Sequence, residues 1–552
     1  MCKMVNSVDS VLSTLFPVIN INKGVCRLGI INILYKQKRD VSNMKRKIIL
    51  AMVLLILTVS IWEPLNISAE DNNDEKLPER YDLRELGHVS GLRVQRGPLC
   101  ILFAATAAIE SNAMVKGYGE YDLAEFQIGY MASNIVGDEN EAIADEGYIR
   151  ESEVWYKIGL DVKNIFPVLM RGYGIVTEDK YPIFEIGDEA PEVEVSYDGD
   201  LYLDGYFCAS ADDSDQIKKY IMKYGAAFVQ VFVANWFRSD EFYNKETKSA
   251  YMPAKGGYIF DHAAALIGWD DNYSKYNFGT VPPGDGAWII KNTWGVEGEY
   301  DYSYISYYDQ CFSDKAQVIV ASTNNKRMYD RIYQYDGGIG PYNISGTTDV
   351  AMNFKAKANE SLTGVRIKPM GSTTNPNDLK FEGAIATIKI YKGHFVGDNS
   401  NTANPIYTTE AKIEDPGYQT IYFDDEVKIH KGDDYYVLVT FDKTVTYGLD
   451  GELGGSRASA KPGETYVKIE KEDSWFDAVK TYSGYPECNA CIKVLAKTRE
   501  VTWYEQIVEE VGIGGVVASI IGILAICTAV LTMVRRRRKS VLNSNINDNE
   551  LV

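Results

Sequence analysis

The stretch QRGPLCILFAATAAIES, residues 95–111, decides how the rest of the chain is interpreted. It places Cys100 directly before a run of small residues that includes Ala104, Ala105 and Ala107. Because alanine has the highest helix propensity, this run predicts a helix that begins near the cysteine. A thiol at a helix N-terminus lies at the positive end of the helix dipole, which lowers its pKa. The stretch therefore predicts a reactive thiol, although a cysteine in an alanine-rich helix can also be a small core residue.

Two further side chains complete a pattern with this thiol. His262 occurs in FDHAAALIGWDDNY, and Asn292 occurs in WIIKNTWG. A thiol, an imidazole and a carboxamide are the parts of a cysteine-nucleophile acyl-transfer site, in which the imidazole takes the thiol proton and the amide orients the ring. Taken singly, His262 could be a hydrogen-bonded core histidine and Asn292 could merely end a strand. The only other histidines far from the cysteine, His394 and His430, belong to a later region of different composition.

The order Cys, His, Asn and the strings around these residues resemble the papain-like cysteine peptidases. The resemblance covers residues 78–322. YDLRE at its start stands where the family has a Phe/Tyr-Asp-x-Arg motif, and KYP at 180–182 and NTWG at 292–295 follow in order. The resemblance implies an α+β two-lobed fold, in which a helical lobe faces a β-barrel lobe across a cleft. Extended peptides would bind there through main-chain hydrogen bonds.

The resemblance also implies a role for each matching position. Cys100 would be the nucleophile, and His262 the general base and then the general acid. Asn292 would orient His262, while Trp294 would shield their hydrogen bond from water and so strengthen it. Gln95 would donate from its side chain to the oxyanion, beside the backbone N–H of Cys100.

The residues before the cysteine differ from the family pattern. Relatives usually carry glutamine six residues before the cysteine, whereas Gln95 is five before Cys100. Pro98 and Leu99 stand where relatives have Gly-Ser or Gly-Thr, and Ile101 replaces a tryptophan. Since one residue spans about 3.5 Å, the shorter loop could displace the Gln95 amide. The alternative interpretation is a catalytically degenerate, peptidase-like adhesin or wall-binding surface protein.

Composition and hydrophobic segments indicate a surface protein. The 552-residue chain has a net charge of −20, which argues against nucleic-acid binding. Residues 44–69 begin with basic residues, continue with an apolar core and end in small residues, which predicts a signal peptide. Val511–Val534 is uncharged and is followed by four arginines and a lysine, which predicts one transmembrane helix with the basic tail inside. These features predict a type I single-pass membrane protein. The disulfides common in eukaryotic papain-like enzymes have no evident counterpart near Cys100, and the resemblance therefore implies a prokaryotic protein.

A second domain follows the region of resemblance. Short alternating strands such as ATIKIYK and DYYVLVTF, separated by Gly, Asn and Asp turns, predict an all-β sandwich or jelly roll. RIYQYDG and KGDDYYVLV resemble the lectin-like domain of clostridial cell-surface cysteine peptidases. This resemblance implies binding of carbohydrate or wall polymer, with a structural stalk as the alternative. No cofactor is expected for catalysis, whereas carboxylates in two turns could bind Ca²⁺: Asp424, Asp425, Asp433 and Asp434.

These inferences divide the chain into eight parts. They are a non-native N-terminal extension (1–43), the signal peptide (44–69), a short disordered segment (70–80), the papain-like domain (81–322), the lectin-like sandwich (325–498), a linker (499–510), the transmembrane helix (511–534) and a cytoplasmic basic tail (535–552).

Overall fold

The computed structural model describes most of the predicted ectodomain and part of the C-terminal helix. The described residues are 76–132, 165–184, 198–236, 239–253, 260–294, 301–312, 317–337, 342–371, 381–451, 460–472, 474–479, 487–501, 505 and 521–536. The predicted N-terminal extension and signal peptide, residues 1–69, lie outside this range.

Four helices are found in the described part of the predicted peptidase region. They are α1 (Cys100–Val115), α2 (Glu125–Met131), α3 (Ile165–Leu169) and α4 (Ser214–Tyr224). Most of α1 is buried, because its residues are mainly small or apolar and its four polar residues, Thr106, Glu110, Ser111 and Asn112, are buried with them. In contrast, α4 buries only the face formed by residues spaced three and four apart, such as Ile217, Tyr220 and Ile221. Helix α1 is therefore the central helix of the domain, and α4 covers its surface.

The strands of the peptidase region are short. They are β1 (Arg80–Asp82), β2 (Tyr202–Ser210), β3 (Ala227–Val231), β4 (Tyr243–Asn244), β5 (Ser249–Ala250), β6 (His262–Asp270), β7 (Ala287–Lys291), β8 (Tyr302–Ser306) and β9 (Gln317–Asn324). Strands β6 and β7 pair antiparallel, with Ala265 opposite Lys291. Strand β1 pairs with β6 through the predicted YDLRE motif, where the buried Asp82 accepts hydrogen bonds from the backbone and side chain of Arg84.

The second domain is built from strands in two layers. They are β10 (Arg331–Tyr333), β11 (Tyr342–Lys355), β12 (Glu360–Ile367), β13 (Ala384–Lys392), β14 (Tyr407–Ile413), β15 (Gly417–Ile429), β16 (Asp434–Gly451), β17 (Thr465–Ile469), β18 (Phe476–Asp477), β19 (Cys488–Ala490) and β20 (Ile492–Thr498). One layer has the order β14-β13-β16-β11-β17-β18, and β10, β20, β12 and β15 form the other. Apolar side chains of both layers, such as Val350 and Val365, share one core. This is the predicted sandwich.

The two domains share one sheet, which the division into separate domains did not predict. Strand β15 of the second domain pairs antiparallel with β2 of the first, with Gly417 opposite Phe207. Gly417 has a φ of 151°, and a Cβ placed on it would lie 2.1 Å from the carbonyl oxygen of Tyr206. Only glycine permits this close approach between the strands. The sheet therefore continues from the peptidase strands into the second domain.

Buried polar groups connect the domains across this sheet. Arg366 is fully buried and donates to the carbonyl oxygens of Met170, at 2.6 Å, and Leu203, at 3.1 Å. Tyr224, at the end of α4, is buried and donates from its hydroxyl to the buried carboxylate of Asp415 in the second domain at 2.7 Å. The second domain is thus packed against the first through specific hydrogen bonds and not only through a connecting segment.

The C-terminal segment is described in part. Residues 521–536 are helical, and residues 511–520 of the predicted transmembrane helix lie outside the described range. Within the parts of the chain that are described, no helix has both the length and the apolar character needed to cross a bilayer.

Candidate active site

The sheet pairing brings the downstream candidates together. His262 is the first residue of β6, and Asn292 directly follows the last residue of β7. Because β6 and β7 run antiparallel, the start of one lies beside the end of the other. Helix α1 packs against β6, so that Cys100, its first residue, lies near the same end of the strand. Residues far apart in sequence therefore meet at one edge of the fold.

His262 and Asn292 form a direct hydrogen bond. The distance from His262 Nε2 to Asn292 Oδ1 is 2.8 Å. The backbone N–H of Thr293 donates to the same Oδ1 at 2.8 Å, which fixes the amide with its oxygen toward the ring. Since Oδ1 can only accept, Nε2 must carry the proton, and Nδ1 is the ring nitrogen left to accept one. Asn292 thus selects the tautomer of His262 that a general base requires.

Trp294 covers this hydrogen bond. Its ring stacks on the imidazole of His262, with the ring centroids 4.3 Å apart and the planes inclined by 24°. Trp294 is held in place by a β-bridge with Val94. His262 and Asn292 are 5% and 1% exposed. Water is therefore largely excluded from the pair, which strengthens the hydrogen bond.

Cys100 lies half-buried at the N-terminus of α1. Its sulfur is beside the backbone N–H groups of Ala263, Ile101 and Cys100 itself. Burial raises the pKa of the Cys100 thiol above its ordinary value, and these three N–H groups offset only part of the effect. The sequence predicted a lowered pKa from the helix dipole. Desolvation outweighs the dipole here. The free energy that a buried thiolate loses with its hydration exceeds the stabilisation that the N–H groups of the first helical turn provide.

The structure brings some of the candidates into direct contact and not others. His262, Asn292 and Trp294 touch each other. Among the hydrogen bonds of the described residues, none joins the Cys100 sulfur to the His262 ring. Ala263 places the two residues close to each other, because it directly follows His262 in the chain and its backbone N–H faces the Cys100 sulfur. In sites without substrate, catalytic hydrogen bonds are often long and shorten when substrate binds.

Gln95 is tied to the segment that follows Asn292. Its backbone N–H donates to the carbonyl oxygen of Thr293 at 2.7 Å, and its Oε1 accepts from Thr293 Oγ1 at 2.5 Å. Its Nε2 donates to the carbonyl oxygen of Gly97 at 2.8 Å. Gly97 has a φ of 59°, which lets the short loop turn back toward Cys100. One hydrogen of the Gln95 amide remains available, so its role as oxyanion donor stays a prediction.

A buried charged cluster lies behind Asn292, and the sequence interpretation missed it. Arg93 binds Glu110 at 2.6 Å and Glu125 at 2.5 Å, and Lys291 donates to Ser90 Oγ at 2.9 Å. Burial raises the pKa of Glu125 to about 8 and lowers the pKa of Lys291 to about 8. A signal was present in the sequence, because Glu110 is the only charged residue of α1 and Lys291 ends the apolar strand AWIIK.

The electrostatics of the site give a prediction about His262. Burial lowers the pKa of His262 to about 4, although the hydrogen bond with Asn292 and the nearby Asp261 oppose this shift. In a Cys100→Ala variant, we therefore expect the His262 ring to titrate near pH 4 rather than near 6.5 by NMR. In the native protein the Cys100 thiol is neutral over this pH range, because burial raises its pKa, and the His262 ring should also titrate near pH 4. A ring that titrates near 6.5 in both proteins would contradict the burial of His262.

The carboxylates suggested for Ca²⁺ do not converge in the described structure. Asp433 pairs with Lys392 at 2.8 Å, and Asp434 is 4.0 Å from Lys355. Asp424 and Asp425 lie within β15, not in a turn. No group of three or more His, Cys, Asp or Glu side chains that could hold a metal ion is found in the described part of the chain.

Comparison with known proteins identifies the class of each domain. Residues 158–321 match the papain family of cysteine proteases, and residues 332–496 match the lectin-like domain. The chain therefore combines a papain-family cysteine protease domain with a lectin-like domain. Among curated proteins, none matches the chain significantly.

Two solved structures share this arrangement. The cysteine protease and lectin-like domains of Cwp84, a surface layer associated protein of Clostridium difficile, are 21% identical with a TM-score of 0.61, and the match covers 77% of this chain and 89% of that one. A clostridial cysteine protease Cwp84 structure after propeptide cleavage is 22% identical with a TM-score of 0.60, covering 76% and 99%. At these identities the likeness concerns the fold, which confirms the predicted papain-like and lectin-like architecture.

Proposed function

We propose that the chain is a surface-anchored cysteine endopeptidase that hydrolyses peptide bonds through Cys100, His262 and Asn292. The observation that carries this proposal is the buried hydrogen bond between His262 Nε2 and Asn292 Oδ1, 2.8 Å long and covered by Trp294. It leaves Nδ1 of a neutral imidazole to accept a proton. A core histidine with no catalytic task has no need of both a fixed tautomer and a neighbouring thiol at a helix N-terminus.

The proposed mechanism follows from these atoms. The Cys100 thiol transfers its proton to His262 Nδ1, and the thiolate attacks the carbonyl carbon of the scissile peptide bond. The backbone N–H of Cys100 and the remaining N–H of Gln95 donate to the oxyanion. His262 then protonates the leaving amine, which releases the first product and leaves a thioester on Cys100. Water, deprotonated by His262, hydrolyses the thioester and restores the thiol.

Burial prepares His262 for both halves of this cycle. A ring whose pKa is lowered to about 4 is neutral at pH 7 and can accept the thiol proton. Once the thiolate forms, its charge stabilises the imidazolium, and that imidazolium is a strong acid toward the leaving amine. Asn292 and Trp294 hold the ring in place during both transfers.

The proposed location is the cell surface. Its support is the signal-like segment 44–69 and the uncharged stretch Val511–Val534, which precedes a basic cluster. The lectin-like domain supports binding of carbohydrate or wall polymer. Protein substrates at the cell surface would then be cleaved near the polymer to which the enzyme is bound.

Labelling with a thiol-reactive epoxide tests the proposal. In the native protein the probe is expected to modify Cys100 and to leave Cys208 and Cys311 unmodified. Both of these thiols are buried, with pKa values that burial raises. Mass spectrometry of digested protein identifies the modified residue, and Cys208→Ser serves as the matched control. Labelling that persists unchanged in a His262→Ala variant would contradict base activation of the thiol.

The second candidate function is a catalytically degenerate adhesin or wall-binding protein. The observation that favours it is the loop before Cys100, where the Gln95 amide donates to Gly97 instead of being fully available. This candidate predicts no epoxide labelling and no cleavage of a peptide library, together with intact binding to wall polymer. The labelling experiment therefore separates the two functions.

A further inference from the structure

A cavity lies on the far side of Asn292 from His262. It has room for about one water molecule and is lined by Asn292, Lys291, Glu110, Glu125 and one face of α1, including Ala107. The cavity is thus bordered by the proposed catalytic amide on one side and by the buried charged cluster on the other.

Two buried polar atoms at this cavity have no hydrogen-bond partner among the described residues. They are Nδ2 of Asn292 and Oε2 of Glu125, and both residues are 1% exposed. The Asn292 amide cannot be turned to satisfy Nδ2, because its Oδ1 already accepts from His262 and from the backbone of Thr293. Glu125 binds Arg93 through Oε1. Its Oε2 can accept as a carboxylate oxygen or, when the acid is protonated below its pKa of about 8, donate as an O–H group. Two polar atoms that need a partner therefore border the same small cavity.

A buried donor without a partner is costly, and such groups are commonly joined by internal water. A water molecule can accept from an N–H and, at the same time, either donate to a carboxylate oxygen or accept from a carboxyl O–H. We propose that a water molecule in this cavity joins Asn292 Nδ2 to Glu125 Oε2. Glu125 is then a positioning residue, which holds the Asn292 amide and, through it, the ring of His262.

The cluster around Glu125 makes it a rigid support. Arg93 binds both Glu125 and Glu110, and the Glu110 carboxylate also accepts from the backbone N–H of Leu123. The Lys291 ammonium group donates to Ser90. Since Lys291 precedes Asn292 in the chain, the backbone on one side and the water on the other would fix the amide. This inference rests on the proposed peptidase function, and it explains how the Asn292 amide, and through it the His262 ring, is held in one orientation.

Two substitutions of the same shape test the role of the water. Ala107→Val places two methyl groups at the cavity and displaces the water, while Ala107→Thr offers a hydroxyl group that can replace it. Both residues are β-branched, so their effects on the helix and on packing are similar. We expect Ala107→Val to lower kcat about tenfold with KM unchanged, and Ala107→Thr to stay within about threefold of the native protein. Thermal unfolding of both full-length variants should occur at similar temperatures.

The possible outcomes separate hydrogen bonding from packing. Equal loss of activity in both variants would show a packing effect and overturn the proposal, as would unchanged activity in both or a change in KM alone. A high-resolution crystal structure gives a test that does not depend on activity. Density for a water within hydrogen-bond distance of Asn292 Nδ2 and Glu125 Oε2 is expected, and its absence from an ordered cavity would overturn the proposal. If the native protein is inactive but the water is present, the proposed function alone fails.

Discussion

Replacing His262 by alanine is expected to lower kcat/KM by about four to six powers of ten. Without the imidazole, the proposed acceptor of the thiol proton is lost, and burial keeps that thiol protonated because it raises the pKa. Replacing Asn292 by alanine should cost less, about two powers of ten, because the stacked ring of Trp294 still restrains His262. Steady-state cleavage of a fluorogenic peptide measures both effects.

The double variant provides the sharper test. If Asn292 acts only through His262, then removal of both side chains should have the same effect as removal of His262 alone. Additive losses would assign Asn292 a separate role. His394→Ala is the matched control, because this exposed histidine lies in the lectin-like domain and its loss should leave kcat/KM unchanged. Circular dichroism excludes unfolding as the cause of any loss.

The second large effect concerns the contact between the domains. Replacing Arg366 by methionine is expected to lower the free energy of unfolding by about 2–5 kcal/mol. The guanidinium is fully buried and donates to carbonyl oxygens of Met170 and Leu203 in the peptidase domain. Without it, these carbonyls lose a donor in a place that water does not reach. A loss of this size is a large fraction of the stability of a typical domain.

Denaturant unfolding followed by tryptophan fluorescence measures this loss. The matched control is Arg327→Met, which removes an arginine from the segment between the domains whose partner, Asp198, is largely exposed. Surface ion pairs contribute less than about 1 kcal/mol, so this variant should remain close to the native protein. Equal stability of the two variants would mean that the buried hydrogen bonds of Arg366 do not hold the domains together.

Local patterns predicted the elements that carry the site. The alanine run after Cys100 forms a helix that begins at that residue, and HAAALIGW forms a strand that begins at His262. ATIKIYK and DYYVLVTF are strands of the sandwich, as their alternation predicted. These predictions were correct because helix propensity and side-chain alternation are properties of neighbouring residues.

The shared sheet could not be predicted in this way. Strand β12 alternates apolar and polar residues, which predicts a solvent-facing side for Arg366, and the structure covers that side with the peptidase domain. The pairing of Gly417 with Phe207 joins strands more than two hundred residues apart. Their contact depends on the shape of both domains. A glycine in the sequence is compatible both with a loop and with a close contact between strands, so Gly417 alone did not predict the pairing.

The candidate site was predicted in part for the same reason. The sequence predicted Cys100, His262 and Asn292 as candidate site residues. It did not predict the raised pKa of the thiol, because that pKa depends on how deeply the thiol is buried. The cluster of Arg93, Glu110 and Glu125 was missed because charged residues normally predict a solvated surface. Their burial follows from the packing of α1 and α2, which sequence periodicity does not describe.

The hydrogen bonds between β2 and β15 have a mechanical consequence. A sheet that continues from one domain into the next restricts the motion of one domain relative to the other, whereas a flexible linker would allow it. A polymer held by the lectin-like domain would then set both the distance and the direction at which the catalytic cleft meets a protein. Under the proposed function, the choice of substrate would depend on where the protein is bound as much as on which side chains its cleft accepts.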